Sequence, residues 1–389
     1  MNDLRARFSK VLARDEVYLA NHSLGRPLDR MAADVQIALD LWYSRMDDSW
    51  EPWLQEVNRW RGNIAKLIGA SGPDRIVPKT SAGQGLRAVL NAFPQDRPVK
   101  VVATRGEFDS VDFILKAYAH SGRAKVAWVE PSSDEAGVPL FSADAILGAL
   151  TPGPGLVVVS LVFFGTGQIL QDVEKLIAGA HERGWLVLLD MYHAVGVFPA
   201  DFAAFGADFG IGGSYKYLRG GPGACWLALG QTVTDDFHTL DTGWFAKKNT
   251  FGYERSDTPE FAGSGDGWLE STPPILMPYQ AKSGLEFVLE FGVETLRKRS
   301  LCQQAEMRSI FRKRGIELFE PSDPSRFGAF SLLRHTRAGD LCRALKEKGV
   351  NVDSRGEFVR FGPDILNTED EFERAAAVVA EALGSSPGR

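Results

Sequence analysis

The chain has 389 residues, 44% of them hydrophobic, and a formal net charge of −6. That length supports a full core and more than one domain. The charge balance offers no basic face for nucleic acid. Cys225, Cys302 and Cys342 are few and widely spaced, which gives neither a disulfide framework nor a zinc-ligand pattern and fits a reducing cytoplasm. The first sixteen residues are charged throughout and lack an apolar core, so a secretory leader is not expected. The longest apolar run, 156–164, is interrupted by Ser160 and is far too short to span a bilayer.

From about residue 50 to 230, apolar strands alternate with amphipathic helices. The patterns predict helices at 83–91, 110–120, 142–149 and 173–183. Strands are predicted at 99–103, 125–130, 156–162, 185–190, 208–213 and 224–229. Short buried strands separated by helices imply a mostly parallel sheet covered on both faces. Thr272-Pro273-Pro274 then breaks the chain and begins one long helical stretch running to about Gly315. Beyond it the patterns give strands at 316–319, 327–333, 350–353 and 358–361, with helices at 338–348 and 369–383. These form a smaller α+β domain. Residues 384–389 read as a disordered tail.

Ligands of such sheets bind at the carboxyl ends of strands. Lys216 follows one strand and opens onto the glycine-rich run 220–223, while Asp190 closes another. An amine and a carboxylate on neighbouring strand ends can hold the two sides of a flat heteroaromatic cofactor. The aldehyde of pyridoxal 5'-phosphate (PLP) would condense with the lysine, and the carboxylate would keep the ring nitrogen protonated. A plain surface lysine and a helix-capping aspartate are the ordinary alternatives. Thr80 and Ser81 precede a helix, where hydroxyls and free amides suit a phosphate dianion or serve as a simple cap. Phe108 follows a strand and is either a stacking ring or a core aromatic. His193 lies one turn after Asp190 and is either a cofactor-side group or a packed residue.

Asp190-Met191-Tyr192-His193 and Ser214-Tyr215-Lys216-Tyr217-Leu218 resemble PLP enzymes of fold type I, in the class V aminotransferase group, and within it the kynureninases. Asn21-His22-Ser23-Leu24-Gly25, Thr166-Gly167-Gln168, Gly243-Trp244-Phe245, Thr272-Pro273-Pro274-Ile275-Leu276 and Val359-Arg360-Phe361-Gly362 extend the resemblance from about residue 17 to 380. It implies an α/β, PLP-dependent transferase-like fold. The large PLP-binding domain would span 46–285 and the small α+β domain 286–389, with residues 1–45 packing against the small domain. It makes Lys216 the Schiff-base lysine, Asp190 the partner of the pyridine nitrogen and Phe108 the stacking ring. Thr80 and Ser81 become phosphate ligands, with Tyr215 contacting the phosphate and helping to move protons. Ser160 and His193 fall on the cofactor side, Trp244 and Thr272 are further phosphate contacts, and Arg360 is the clamp for a substrate α-carboxylate. Thr272 would come from the second subunit of a homodimer whose active site lies at the interface.

The reaction so implied is hydrolysis of the Cβ–Cγ bond of L-kynurenine or a related γ-keto amino acid, giving anthranilate, or its analogue, and L-alanine. Another class V reaction on a different amino acid, and a PLP-binding protein without catalysis, are the alternatives. Desulfuration needs a nucleophilic cysteine shortly before the late arginine, and residues 349–359 contain none. The chain departs from the kynureninase pattern at His22, Arg219, Ala246, Lys247 and Ser271. These changes are expected near the mouth of the site, where they bear on substrate identity.

Overall fold

The computed structural model describes residues 2–133 and 137–384. A seven-stranded sheet is built from β1 (Ile76–Lys79), β2 (Val99–Thr104), β3 (Ala124–Val129), β4 (Gly155–Ser160), β5 (Trp185–Asp190), β6 (Phe209–Gly213) and β7 (Cys225–Leu229). Its order is β1-β7-β6-β5-β4-β2-β3. The run from β6 to β3 is parallel, and β7 lies antiparallel to both β6 and β1. Successive side chains of a strand face opposite ways. Val157 and Val159 therefore enter one apolar layer while Leu156 and Val158 enter the other. Every residue of β4 is buried, which explains its continuous apolar reading. Each such Val or Leu contributes about 1.5–3 kcal/mol by leaving water. At the β3 edge, Lys125 and Ala127 are exposed, and a charge there discourages pairing with another chain.

The sequence patterns omit β1. It is four residues long and contains Pro78, which a strand tolerates because β1 is the other edge of the sheet. The long helix predicted after Thr272 is two helices, Leu276–Phe291 and Val293–Lys313. Gly292 separates them with φ of 77°, a conformation that L side chains rarely adopt.

In the C-terminal part, Ser331–Arg334, Phe358–Phe361 and Asp353–Arg355 form an antiparallel sheet in that spatial order. Residues 316–319 are not a strand: Phe319 N–H bonds Leu332 O at 2.7 Å, but no ladder develops. Val17–Tyr18 pairs with Val350–Asn351, and Val17 and Leu19 share a core with Met307, Phe311, Val359 and Phe372. Phe8 and Leu28 instead join the large-sheet core. The tail expected to be disordered lies, from residue 385 on, outside the described residues, and Gly384 ends the helix Glu369–Gly384. No helix among the described residues is long and apolar enough to cross a membrane.

Candidate active site

At the carboxyl edge of the large sheet a cavity of about 450 Å³ opens. Lys79 and Gly213 both lie opposite Cys225, so the segments after β1 and β6 leave the sheet at one level. Thr80, Ser81, Phe108, Ser160, Asp190, His193, Tyr215 and Lys216 all line this cavity. Eight predicted residues, from five strand ends, thus converge on one space.

Lys216 is buried at 5% exposure, its ammonium group against His193 Nε2. Its Nζ lies 4.9 Å from the ring centre of Tyr192, 5.5 Å from Phe108 and 5.8 Å from Tyr215. Two glycines make this packing possible. A Cβ on Gly213 would lie 2.1 Å from the Tyr192 hydroxyl oxygen, and one on Gly25 would lie 1.9 Å from Lys216 O. Gly25 N–H also bonds Tyr215 O at 2.8 Å, which gives the N-terminal Ser-Leu-Gly segment its place under the lysine loop. Burial pushes the Lys216 amine down to about 7, opposed by the nearby Asp190 carboxylate. Burial also holds His193 well below the usual histidine value, as a neutral ring.

An amine of this kind is protonated below about pH 7 and nucleophilic above it. The rate at which apoprotein develops colour with PLP is therefore expected to rise through pH 7 and level off within about 1.5 units. Stopped-flow absorbance checks this. A rate that climbs steadily to pH 10 would mean an ordinary lysine.

Asp190 ends β5 opposite Ser160 at the end of β4. Its carboxylate accepts the Tyr192 N–H at 2.9 Å and makes no ion pair among the described residues. Burial raises it above the usual carboxylate range, against the pull of that N–H and of Lys216. At the opposite wall, Ser81 caps the helix Ala82–Leu90 by accepting the Gln84 N–H at 3.1 Å. Thr80 donates its N–H and hydroxyl to Gln84 Oε1 at 2.8 and 3.1 Å. Gln84 is held in turn by Glu270, which also binds Lys79 at 2.7 Å. Both hydroxyls are exposed to the cavity, beside Ala82 and Gly83 of the helix's first turn.

Trp244, Thr272 and Arg360 do not line this cavity. Thr272 is exposed, and Trp244 packs with Phe245, Phe251 and Tyr253. Arg360 is 1% exposed. It donates from Nε to Asp353 at 2.7 Å, from one terminal nitrogen to the other Asp353 oxygen, and from its second terminal nitrogen to Phe164 O. One N–H on each terminal nitrogen stays uncommitted among the described residues.

Two sequence departures are not at the mouth. His22 is fully buried, bonded to Asp353 at 2.7 Å, and desolvation lowers its pKa to about 4. Arg219 is buried with φ of 56°, a left-handed conformation that asparagine accepts more readily. Arg219 is held there by Asp364 at 2.7 Å and Arg26 O at 3.2 Å. Sequence reasoning also passed over Tyr192 and Glu107. Neither had a periodicity to single it out, although both adjoin residues that were singled out.

The residues present fit PLP. A buried amine of depressed basicity suits its aldehyde, and Asp190 lacks the cation that a protonated ring nitrogen would supply. Hydroxyls at a helix N-terminus suit its phosphate. The fold is that of the PLP-dependent class V enzymes. The chain belongs to the aminotransferase class-V family, which it matches over residues 44–363. It is 28% identical over 380 residues to a kynureninase of Geobacillus thermodenitrificans, covering 92% of this chain and 86% of that one. It is 27% identical over 400 residues to a kynureninase of Bacillus anthracis, covering 98% and 91%. A cysteine desulfurase from Thermococcus onnurineus has the same fold, with a TM-score of 0.81 at 17% identity, over 99% of this chain and 98% of that one. The cystine C-S lyase C-DES also aligns, with a TM-score of 0.81 at 16% identity, over 96% and 99%. The protein is thus a divergent, kynureninase-like PLP enzyme of class V.

Proposed function

We propose that the enzyme hydrolyses the Cβ–Cγ bond of L-kynurenine or a related γ-keto amino acid, releasing anthranilate, or its analogue, and L-alanine. The observation that carries this is similarity to kynureninases along nearly the whole chain. The likeness to desulfurases is one of fold. Cys342, the nearest cysteine before Arg360, sits in the helix Ala338–Glu347 against the C-terminal core, where burial raises its thiol pKa and makes it a poor nucleophile.

When bound, PLP supplies an aldehyde that captures amines and an electron-poor ring that accepts charge from the α-carbon. Lys216 would anchor it and, as a free amine, would take and return the substrate's α-proton. Its depressed basicity lets it do both near neutral pH. Asp190 holds the ring nitrogen protonated, and Phe108 and His193 confine the ring. Thr80, Ser81 and the first turn of the helix Ala82–Leu90 grip the phosphate. Tyr215 stays protonated because burial raises its hydroxyl, so it can donate a proton as water adds to the γ-ketone. In a homodimer, Thr272 of the second subunit would complete the phosphate site, with Trp244 as a further phosphate contact.

Arg360 takes the substrate α-carboxylate with its two uncommitted N–H groups, while Asp353 holds the guanidinium side-on. Arg360→Ala should raise KM by roughly 30-fold, about 2 kcal/mol, with a smaller change in kcat. It should also lower Tm, because Asp353 loses its main partner. An unchanged KM would remove Arg360 from the substrate site.

Turnover with kynurenine-type ketones, read by mass spectrometry and anthranilate fluorescence, tests the whole proposal. A protein that binds PLP but releases no aryl acid from L-kynurenine, 3-hydroxykynurenine or other γ-keto amino acids is not this hydrolase.

A further inference from the structure

Glu107 is buried at 4% exposure behind Phe108 and Ser160, which line the cavity, and the proposed reaction does not use it. It makes no ion pair among the described residues. Two hydroxyls and the Ser160 backbone N–H hold its carboxyl group: Thr104 Oγ1 lies 2.6 Å from Oε1, and Ser160 Oγ lies 2.7 Å from Oε2. Thr104 ends β2 and Ser160 ends β4, so Glu107 bridges two adjacent strand ends.

The direction of each proton follows from the partners. Thr104 Oγ1 accepts the Gly106 N–H at 3.1 Å, so its own proton is directed to Glu107 Oε1. A buried carboxyl with no cation beside it, and with Asp190 opposite Ser160, favours its neutral form. In that form its single proton would sit on Oε2 and reverse the bond that the ionised carboxylate would accept from Ser160 Oγ. Ser160 has no other side-chain partner among the described residues and lines the cavity. Its hydroxyl proton has only the cavity to point into.

We propose that Glu107 is a positioning residue which, as a neutral acid, turns the Ser160 hydroxyl proton toward the bound PLP. This goes beyond the hydrolytic reading and holds for whatever reaction the site performs. Ionised Glu107 would take the Ser160 proton for itself, leaving a lone pair facing the cofactor and a second negative charge near Asp190. The groups that face Glu107 are Thr104 from β2, Ser160 from β4 and Asp190 from β5. Burial raises Glu107 to about 8, so the acid form prevails at neutral pH.

Glu107→Gln tests this, because an amide keeps an oxygen for Thr104, offers a permanent N–H donor to Ser160 and does not titrate. The PLP dissociation constant is measured by visible absorbance on wild-type and variant apoprotein from pH 6.5 to 9.5. Taking their ratio cancels the titrations of Lys216 and His193, which both proteins share. The two constants are expected to agree within about twofold below pH 7.5, with the wild type about tenfold weaker than Glu107→Gln at pH 9. In a Ser160→Ala background the pH dependence of the ratio should shrink severalfold, to what the added charge near Asp190 alone produces. Tenfold loss of affinity in Glu107→Gln at pH 7 would show that the ionised carboxylate is needed, and would overturn the proposal. So would a flat ratio when Ser160 is intact, or a pH dependence that Ser160→Ala leaves undiminished. Affinity is read without turnover, so failure here leaves the proposed hydrolysis standing, and failure of that reaction leaves this result interpretable.

Discussion

Lys216→Ala is expected to abolish the visible absorbance that the protein acquires with PLP and to lower turnover by at least about a thousandfold. Lys216 is the one primary amine lining the cavity among the described residues. The nearest alternative, Lys79, is tied to Glu270 at 2.7 Å and to Trp268 O at 3.3 Å beneath it. On the proposed roles, loss of the amine would remove both the cofactor's anchor and the base for the α-proton. These losses separate experimentally. PLP should still bind Lys216→Ala through its phosphate and ring, with absorbance like that of the free aldehyde. A small external amine should restore part of the proton transfer. Lys216→Arg should not restore it, because a guanidinium stays protonated and does not condense with aldehydes. Retention of the wild-type band by Lys216→Ala would place the anchor on another residue.

The sheet was legible because its central strands are buried on both faces and therefore read as plain apolar runs, as in β4 and β5. Where the element is short and carries a proline, the pattern fails. The strand β1 carries Pro78 and only four residues, yet it sets the height of Thr80 and Ser81 at the cavity. The helix after Thr272 was expected to be continuous because apolar periodicity survives across Gly292, and only the backbone angle at that glycine breaks it.

The polar architecture of the site was harder to read, since partners that close only in three dimensions leave no local period. Glu107 reaches Ser160 across 53 residues. The Asp353–Arg360 pair had a signal that could have been used. Gly356 and Glu357 separate two short strands as a two-residue turn, and the register sets Asp353 opposite Arg360. Reading that hairpin from the sequence would have shown that the proposed carboxylate clamp already carries one carboxylate. Likewise His22 and Arg219 looked like changes at the mouth because they depart from a motif. Their burial shows that the substitutions are absorbed by Asp353 and Asp364 in the frame around the site.

Asp190→Asn is expected to lower kcat by roughly 10²–10³-fold and to weaken PLP binding, without loss of apoprotein stability. In the protein alone, Asp190 is a buried carboxylate whose only hydrogen-bond donor among the described residues is the Tyr192 N–H, and burial already pushes it toward its neutral form. Asparagine keeps an acceptor for that N–H and removes the cost of burying a charge, so the Tm of apoprotein should hold or rise. With PLP bound the balance inverts. The carboxylate is then the counter-charge of a protonated ring nitrogen in a low-dielectric wall, where breaking such a pair costs about 3–5 kcal/mol. An amide cannot hold that proton, and a ring without it accepts charge from the α-carbon poorly. A fall in kcat with unchanged or higher apoprotein Tm would identify Asp190 as the partner of the cofactor nitrogen. A parallel fall in both would make it a structural residue at the end of β5, and full activity would leave the ring nitrogen without the carboxylate on which this reading of the site depends.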